Sequence, residues 1–347
     1  MSHDGKGANG GTGTAGPGMK AVRMSGFGGV DVLQIVDHPD PTPKDDELLV
    51  HIRATALNRA DLLQRRGKYP PPTGASEILG LEMAGEILET GSACGEWSVG
   101  DRVCALLTGG GYAQKAAVPC GMAMRIPDNL SYEEAAAIPE AFLTAYHNLF
   151  SLGGLTPGMT VLVHAGGSGV GTAAIQLIRE AGAVSLVTAG SPPKISRCLD
   201  LGAQAGWNYR EGPFAPWVAA RTEGRGVDLI LDFVGAPFFG QNLKSLAEDG
   251  KLILIGTMGG AVAERVNLLD LLFRRLQILG TSLRSLDTAR KIVLTQRFSG
   301  FALPRFADGR LNPVIDSVRD WTEVASAHLR MESNENVGKI VLRIDEV

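Results

Sequence analysis

Residues 161–177 read Val161-Leu162-Val163-His164-Ala165-Gly166-Gly167-Ser168-Gly169-Val170-Gly171-Thr172-Ala173-Ala174-Ile175-Gln176-Leu177: an apolar run, a glycine cluster, then a helical apolar pattern. This order predicts strand, tight turn and helix. Glycines let the backbone approach a pyrophosphate with no Cβ in the way, and the N–H groups and dipole at a helix start favour an anion. The spacing departs from G-x-G-x-x-G, because counting from Gly166 puts Ser168 where the middle glycine would stand. A plain structural turn is the alternative, and the flanking strand and helix patterns argue against it. Further apolar runs at 185–188, 227–232, 252–256, 276–281 and, more weakly, 203–209 alternate with helical stretches. Continuous β-branched runs of this kind suit a parallel sheet covered on both faces, so residues 135–280 are expected to form a doubly wound α/β domain.

The end of the second strand commonly places an Asp or Glu against the adenosine ribose hydroxyls of NAD. Here it reads Val187-Thr188-Ala189-Gly190-Ser191-Pro192-Pro193-Lys194, with no acid to repel a phosphate. Ser191 offers a hydrogen bond and Lys194 a full charge, with Arg197 as a further helper, so the 2′-phosphate of NADPH is the expected guest. One charge-assisted bond is worth about 1.5–3 kcal/mol, roughly a 10- to 150-fold preference over NADH. The alternative for Lys194 is a solvated lysine at a helix start.

A chain of 347 residues exceeds one comfortable core and predicts about two domains. With 44% hydrophobic and 20% charged residues it has the apolar mass of a globular enzyme rather than a disordered protein. The net charge is -4 and Lys and Arg are scattered, so neither nucleic acid nor a membrane surface is an expected partner. No apolar run approaches the ~20 residues of a membrane span. Residues 1–18 are Gly-rich without the pattern of a signal or transit peptide, and are expected to be a flexible tail on a cytoplasmic protein. Cys94, Cys104, Cys120 and Cys198 lack C-x-x-C spacing, which fits reduced thiols better than a zinc knuckle or redox dithiol.

Residues 19–134 show short apolar runs broken by Gly and Pro, the pattern of strands and turns. Ser131 followed by Glu133 and Glu134 predicts a helix start. Residues 281–347 end in a strand-like run, 338–343, too short to stand alone and expected to rejoin the first domain.

Several motifs together carry a family resemblance: Ala56-Leu57-Asn58-Arg59-Ala60-Asp61-Leu62, Gly80-Leu81-Glu82, Ala136-Ala137-Ile138-Pro139-Glu140-Ala141, Ser168-Gly169-Val170-Gly171-Thr172 and the terminal Asn336-Val337-Gly338-Lys339-Ile340-Val341-Leu342. Through them the chain resembles the zeta-crystallin-like quinone oxidoreductases of the medium-chain dehydrogenase/reductase superfamily, and among these the tumour-suppressor-inducible type. The resemblance implies a mainly β GroES-like catalytic domain beside the Rossmann domain, NADPH as donor, and homodimers joined edge to edge through the cofactor-domain sheets.

It also implies roles for individual residues. The superfamily's alcohol dehydrogenases hold a catalytic zinc with a Cys near the place of Asn58 and a His in a Gly-His-Glu triplet. This chain has Gly80-Leu81-Glu82, so no metal is expected and Glu82 is left as a buried, hydrogen-bonded relic. Without a Lewis acid, a quinone is the easier acceptor, because its reduced anion is delocalised and weakly basic. Asn58 and Tyr69 are placed beside nicotinamide and acceptor as the catalytic pair. Tyr69 sits in Gly67-Lys68-Tyr69-Pro70-Pro71-Pro72, a rigid loop from which its hydroxyl could meet a developing oxyanion. The alternative is a surface tyrosine packed on prolines. Thr144 is expected at the nicotinamide ribose or carboxamide, or else bonded to its own helix. Gly166, Ser168, Gly169, Val170, Gly171, Gly190, Ser191, Lys194, Tyr209, Gly256, Met258 and Asn336 complete the expected cofactor set, Tyr209 at the adenine end. Arg59 and Asp61 read as a surface pair. A conjugated carbonyl is the second acceptor class, making the chain an enone or enoyl reductase. An NADPH-binding structural or RNA-binding protein is the reading from another class, against which the missing basic patch counts.

Overall fold

The computed structural model describes residues 18–264 and 266–344. The expected tail, apart from Gly18, lies outside the described residues.

Six parallel strands form one sheet in the order Ala205–Asn208, Val184–Ala189, Thr160–Val163, Val227–Asp232, Leu246–Leu254 and Gln277–Gly280. Alternate residues of these strands enter two separate cores. Val161, Val163, Leu229, Leu231 and Ile253 pack in one with Ala173, Ala174, Leu177 and Ile178 of the helix Gly169–Glu180. Leu162, Leu186, Ile230 and Leu252 pack in the other with Phe214 and Val218. The period of two therefore buries both faces, which is why these strands read as unbroken apolar runs. Strand order reverses at Thr160–Val163, opening a crevice beyond the carboxyl ends of that strand and Val227–Asp232.

The second large sheet has the order Ile315–Asp320, Lys339–Arg343, Glu47–Ala56, Glu82–Thr90, Arg102–Leu106 and Ala123–Arg125, with Lys115–Pro119 also on Glu47–Ala56. Its pairings are antiparallel except that Ile315–Asp320 runs parallel to Lys339–Arg343. The terminal strand lies directly on the early one, Val341 opposite Ala56. Met19–Met24 and Leu33–His38 make a separate hairpin. The fold is therefore α/β, a parallel Rossmann sheet beside a mainly β GroES-like part.

Two local features differ from the sequence pattern. The helix capped by Ser131 lasts only for Tyr132–Ala136, and a second, Pro139–Tyr146, follows with its proline in the first turn. Pro139 lacks the N–H that a continued helix would use, and its fixed φ suits the first turn of a new helix, even though Ile138 before it is itself helical. The strand expected at 252–256 begins earlier, at Leu246, through the polar Glu248-Asp249-Gly250 that hides it from an apolar count.

Candidate active site

The turn after Thr160–Val163 is sharp, with Ala165 at φ 48, a left-handed value that L residues rarely adopt. Ser168 then caps the helix Gly169–Glu180, its Oγ accepting from Gly171 N at 3.0 Å. A Cβ on Gly171 would lie 2.4 Å from Ala165 O and 2.7 Å from Gly166 O, so only glycine fits. A Cβ on Gly166 would press on Cys198 Sγ at 2.9 Å, and one on Gly169 on Lys339 Cδ at 2.6 Å. Val170 lies between them in the helix's first turn. The C-terminal segment crosses the turn: Gly338 N donates to Gly167 O at 2.9 Å, and Asn336 Nδ2 donates to Gly338 O at 2.9 Å. The turn and helix start thus leave the backbone N–H groups clear of side-chain atoms, the arrangement a pyrophosphate would need.

At the end of Val184–Ala189, a Cβ on Gly190 would sit 2.5 Å from the Tyr209 hydroxyl. This glycine lets the Tyr209 ring come close, edge-on to Phe238 at 5.7 Å. Ser191 caps the helix Pro192–Asp200 by position, without a side-chain bond to it. Lys194 Nζ donates to Asn334 O at 2.6 Å. Burial holds its ammonium below the usual lysine range, and the charge of Arg210 acts in the same direction. Arg210 is a cation of this corner that the strand-end pattern did not disclose, while Arg197 is exposed. Gly256 and Met258 lie past Leu246–Leu254, their N–H groups pointing to Asp232 O and Phe233 O at 3.3 and 3.1 Å. Thr144 is buried on Pro139–Tyr146, and its carbonyl accepts from Asn148 Nδ2 at 2.7 Å.

The acceptor end is built from side chains far apart in sequence. Glu82 is fully buried, and its Oε1 accepts from Asn58 Nδ2 at 2.8 Å and Lys339 Nζ at 2.6 Å. Its Oε2 accepts from Glu140 N at 2.8 Å. Lys339 Nζ completes its three donations with Asn58 Oδ1 at 2.6 Å and Leu57 O at 2.8 Å. The Asn58 amide is therefore held from both ends, its NH2 by an anion and its oxygen by a cation. Glu140 is partly buried beside this cluster, and burial together with the Glu82 charge pushes its carboxyl up to about 8.

Asp61 corrects the expectation of a surface pair with Arg59. It is fully buried and accepts from Asn58 N at 2.8 Å, Gly80 N at 3.1 Å and the Tyr112 hydroxyl at 3.3 Å. Burial raises its carboxyl to about 6, against the pull of the two backbone N–H groups. Arg59 instead donates to Asn334 Oδ1 at 2.7 Å. Tyr69 is half-buried, and the Arg284 guanidinium lies over its ring with Cζ 5.1 Å from the centroid.

The residues near Asn58 do not fit a catalytic zinc. The oxygens of Asn58 and Glu82 face an ammonium that the chain itself supplies, and Leu81 offers no donor atom. Among the described residues, no group of three or more His, Cys, Asp or Glu side chains is arranged to hold a metal ion. Sequence reading marked Asn58, Tyr69 and Glu82 but gave no role to Lys339, Glu140 or Arg284. A buried Glu82 demands a cation, and that demand is the one signal that could have led to Lys339.

Residues 44–128 match the family described as alcohol dehydrogenase GroES-like domain, and residues 169–298 the family described as zinc-binding dehydrogenase. The human synaptic vesicle membrane protein VAT-1 homolog is 30% identical over 343 residues, covering 93% of this chain and 86% of its own length. A mycobacterial protein solved in complex with NADPH superposes with TM-score 0.84 at 30% identity, covering 94% of this chain and 99% of its own. A quinone oxidoreductase of Pseudomonas syringae gives TM-score 0.83 at 28% identity, and the CurK enoyl reductase 0.84 at 28%. Each covers 94% of this chain and 99% of its own. The two sheets, the glycine turn at their crevice and these full-length likenesses together make the chain an oxidoreductase of the medium-chain dehydrogenase/reductase superfamily.

Proposed function

We propose that the chain is an NADPH-dependent, zinc-independent quinone reductase of the zeta-crystallin-like branch, acting on small and preferably ortho-quinones. The observation that carries this reading is the Asn58–Glu82–Lys339 cluster, where the chain's own ammonium occupies the oxygens of Asn58 and Glu82 and leaves no set of donors for a metal among the described residues. An acceptor reduced there receives positioning and hydrogen bonds rather than a Lewis acid, which favours a product anion that is already delocalised. Bound NADPH would supply the hydride from nicotinamide C4. Asn58 and Tyr69 would orient the acceptor beside it, and Ser191, Lys194 and Arg210 would meet the 2′-phosphate. The likeness to a protein solved with NADPH and to a quinone oxidoreductase supports the same choice.

An enoyl reductase is the second reading, favoured by the likeness to CurK. Side-by-side turnover of 1,2-naphthoquinone and an α,β-unsaturated aldehyde, with NADPH and with NADH, tests both. Quinone turnover at least tenfold above the aldehyde, and NADPH at least tenfold above NADH, is expected. Aldehyde as the better substrate would replace the first reading by the second, and equal use of both cofactors would remove the 2′-phosphate assignment.

A homodimer and a cytoplasmic location belong to the same proposal. No helix among the described residues is long and apolar enough to cross a membrane. Gln277–Gly280 is an end strand of the parallel sheet, and beside it the helix Leu268–Phe273 exposes Leu268, Leu269, Leu272 and Phe273. An open strand edge next to an apolar patch suits a second copy of the same chain. Sedimentation is expected to give a dimer that Ile278→Lys dissociates.

A further inference from the structure

Arg284 is 7% exposed, yet no carboxylate among the described residues is bonded to it. Its NH2 group donates to Gln64 Oε1 at 2.7 Å and to Thr108 O at 3.0 Å. Its own carbonyl accepts from Lys291 Nζ at 2.9 Å. Both the side chain and the backbone of this residue are therefore held. The Nε and NH1 groups have no hydrogen-bond acceptor among the described residues. A buried guanidinium left half unbonded is costly, and what faces it here is the ring of Tyr69. The negative π face takes the part that an anion would otherwise play.

We infer that Arg284 is the positioning residue for Tyr69, fixing its ring over the acceptor cleft from an anchor on Gln64 and Thr108. The inference rests on the role given to Tyr69 in the proposed function. Tyr69 is otherwise carried by the short run Gly67-Lys68-Tyr69-Pro70-Pro71-Pro72. Prolines restrict that run but do not choose the direction of a ring, since χ1 and χ2 remain free. A cation held from a different segment, on the far side of the Rossmann sheet's last strand in sequence, chooses it. Arg284 needs no contact with the acceptor, because its effect passes through the ring.

The test pairs an activity cycle with readouts that need no turnover. Arg284→Met is expected to lower kcat/KM for 1,2-naphthoquinone about tenfold in the wild-type background and less than twofold in a Tyr69→Ala background. The loss should fall mainly on kcat, with the dissociation constant for NADPH unchanged, and Arg284→Lys should restore most of it. In protein labelled with 3-fluorotyrosine, the resonance that vanishes in Tyr69→Phe should shift in Arg284→Met. Trypsin cleavage after Lys68 should become about fivefold faster. Should Arg284→Met fail to fold, phenylalanines carrying increasing numbers of ring fluorines at position 69 weaken the π face without adding an ionisable group, and cleavage should accelerate with each fluorine. An equal loss in the Tyr69→Ala background, or an unmoved resonance with unchanged cleavage, overturns the inference. If the wild-type chain reduces no acceptor at all, the proposed function fails, while the resonance and the cleavage rate still decide what Arg284 does.

Discussion

The two ends of the crevice are made by opposite means. At the cofactor end the backbone does the shaping: Ala165, Gly166, Ser168, Gly169 and Gly171 come from one turn and one helix start. At the acceptor end side chains do it, with Asn58, Glu82, Glu140, Arg284 and Lys339 drawn from five separate segments. The first depends on the absence of side-chain atoms and the second on charges that complete one another. Damage at the first should therefore be steric and local, whereas damage at the second should be electrostatic and shared.

The largest expected effect sets the acceptor end apart. Lys339→Met leaves the Glu82 carboxylate buried without its cation and should cost about 3–5 kcal/mol in denaturant unfolding. If the cost is under about 1 kcal/mol, the ion pair contributes no more than an exposed one and the contrast breaks. Next comes the cofactor end, where Gly171→Ala drives a methyl into Ala165 O and should cost about 2–3 kcal/mol with no pH dependence. Thermal unfolding at two pH values checks both halves of that statement.

A third measurement sharpens the electrostatic half. Glu140 stands raised in the folded chain, from 4.5 to about 8, so its protonated form fits the fold better than its charged form. Its favourable contribution is full below pH 4.5 and is lost as pH rises through about 8. Glu140→Gln should then gain on the wild type across that window, by about 2 kcal/mol after allowance for its partial exposure. A constant difference between the two proteins from pH 5 to pH 8.5 would contradict the assignment. The smallest effect belongs to the phosphate corner. Lys194→Ala should leave stability nearly unchanged and reduce the ratio of NADPH to NADH kcat/KM about tenfold, the value of one charge-assisted bond.

The same contrast explains what could be read from the sequence. The strand, glycine turn and helix of residues 160–180 obey local rules of period, cap and Cβ clearance, and those rules are written in consecutive letters. Ala165 escaped because nothing in an alanine signals a left-handed turn; the geometry is imposed by the strand before it and the helix after it. The strand Leu246–Leu254 reads short in the sequence because Glu248 and Asp249 break its apolar run. Asp61 reads as a surface residue for a related reason. An aspartate near an arginine reads as a solvated pair, while its real partners are the N–H groups of Asn58 and Gly80 and the hydroxyl of Tyr112. Arg284 and Lys339 carry no local mark at all, since their meaning depends on what they meet after folding.

Lys339 stands 281 positions after Asn58 along the chain, and its neighbour Gly338 clasps the glycine turn. The cleft therefore cannot take its working shape until a very long loop has closed, a contact of the kind that slows folding. Until that contact forms, Glu82 lacks its cation and the glycine turn lacks the clasp of Gly338, so both ends of the crevice are finished by one late event.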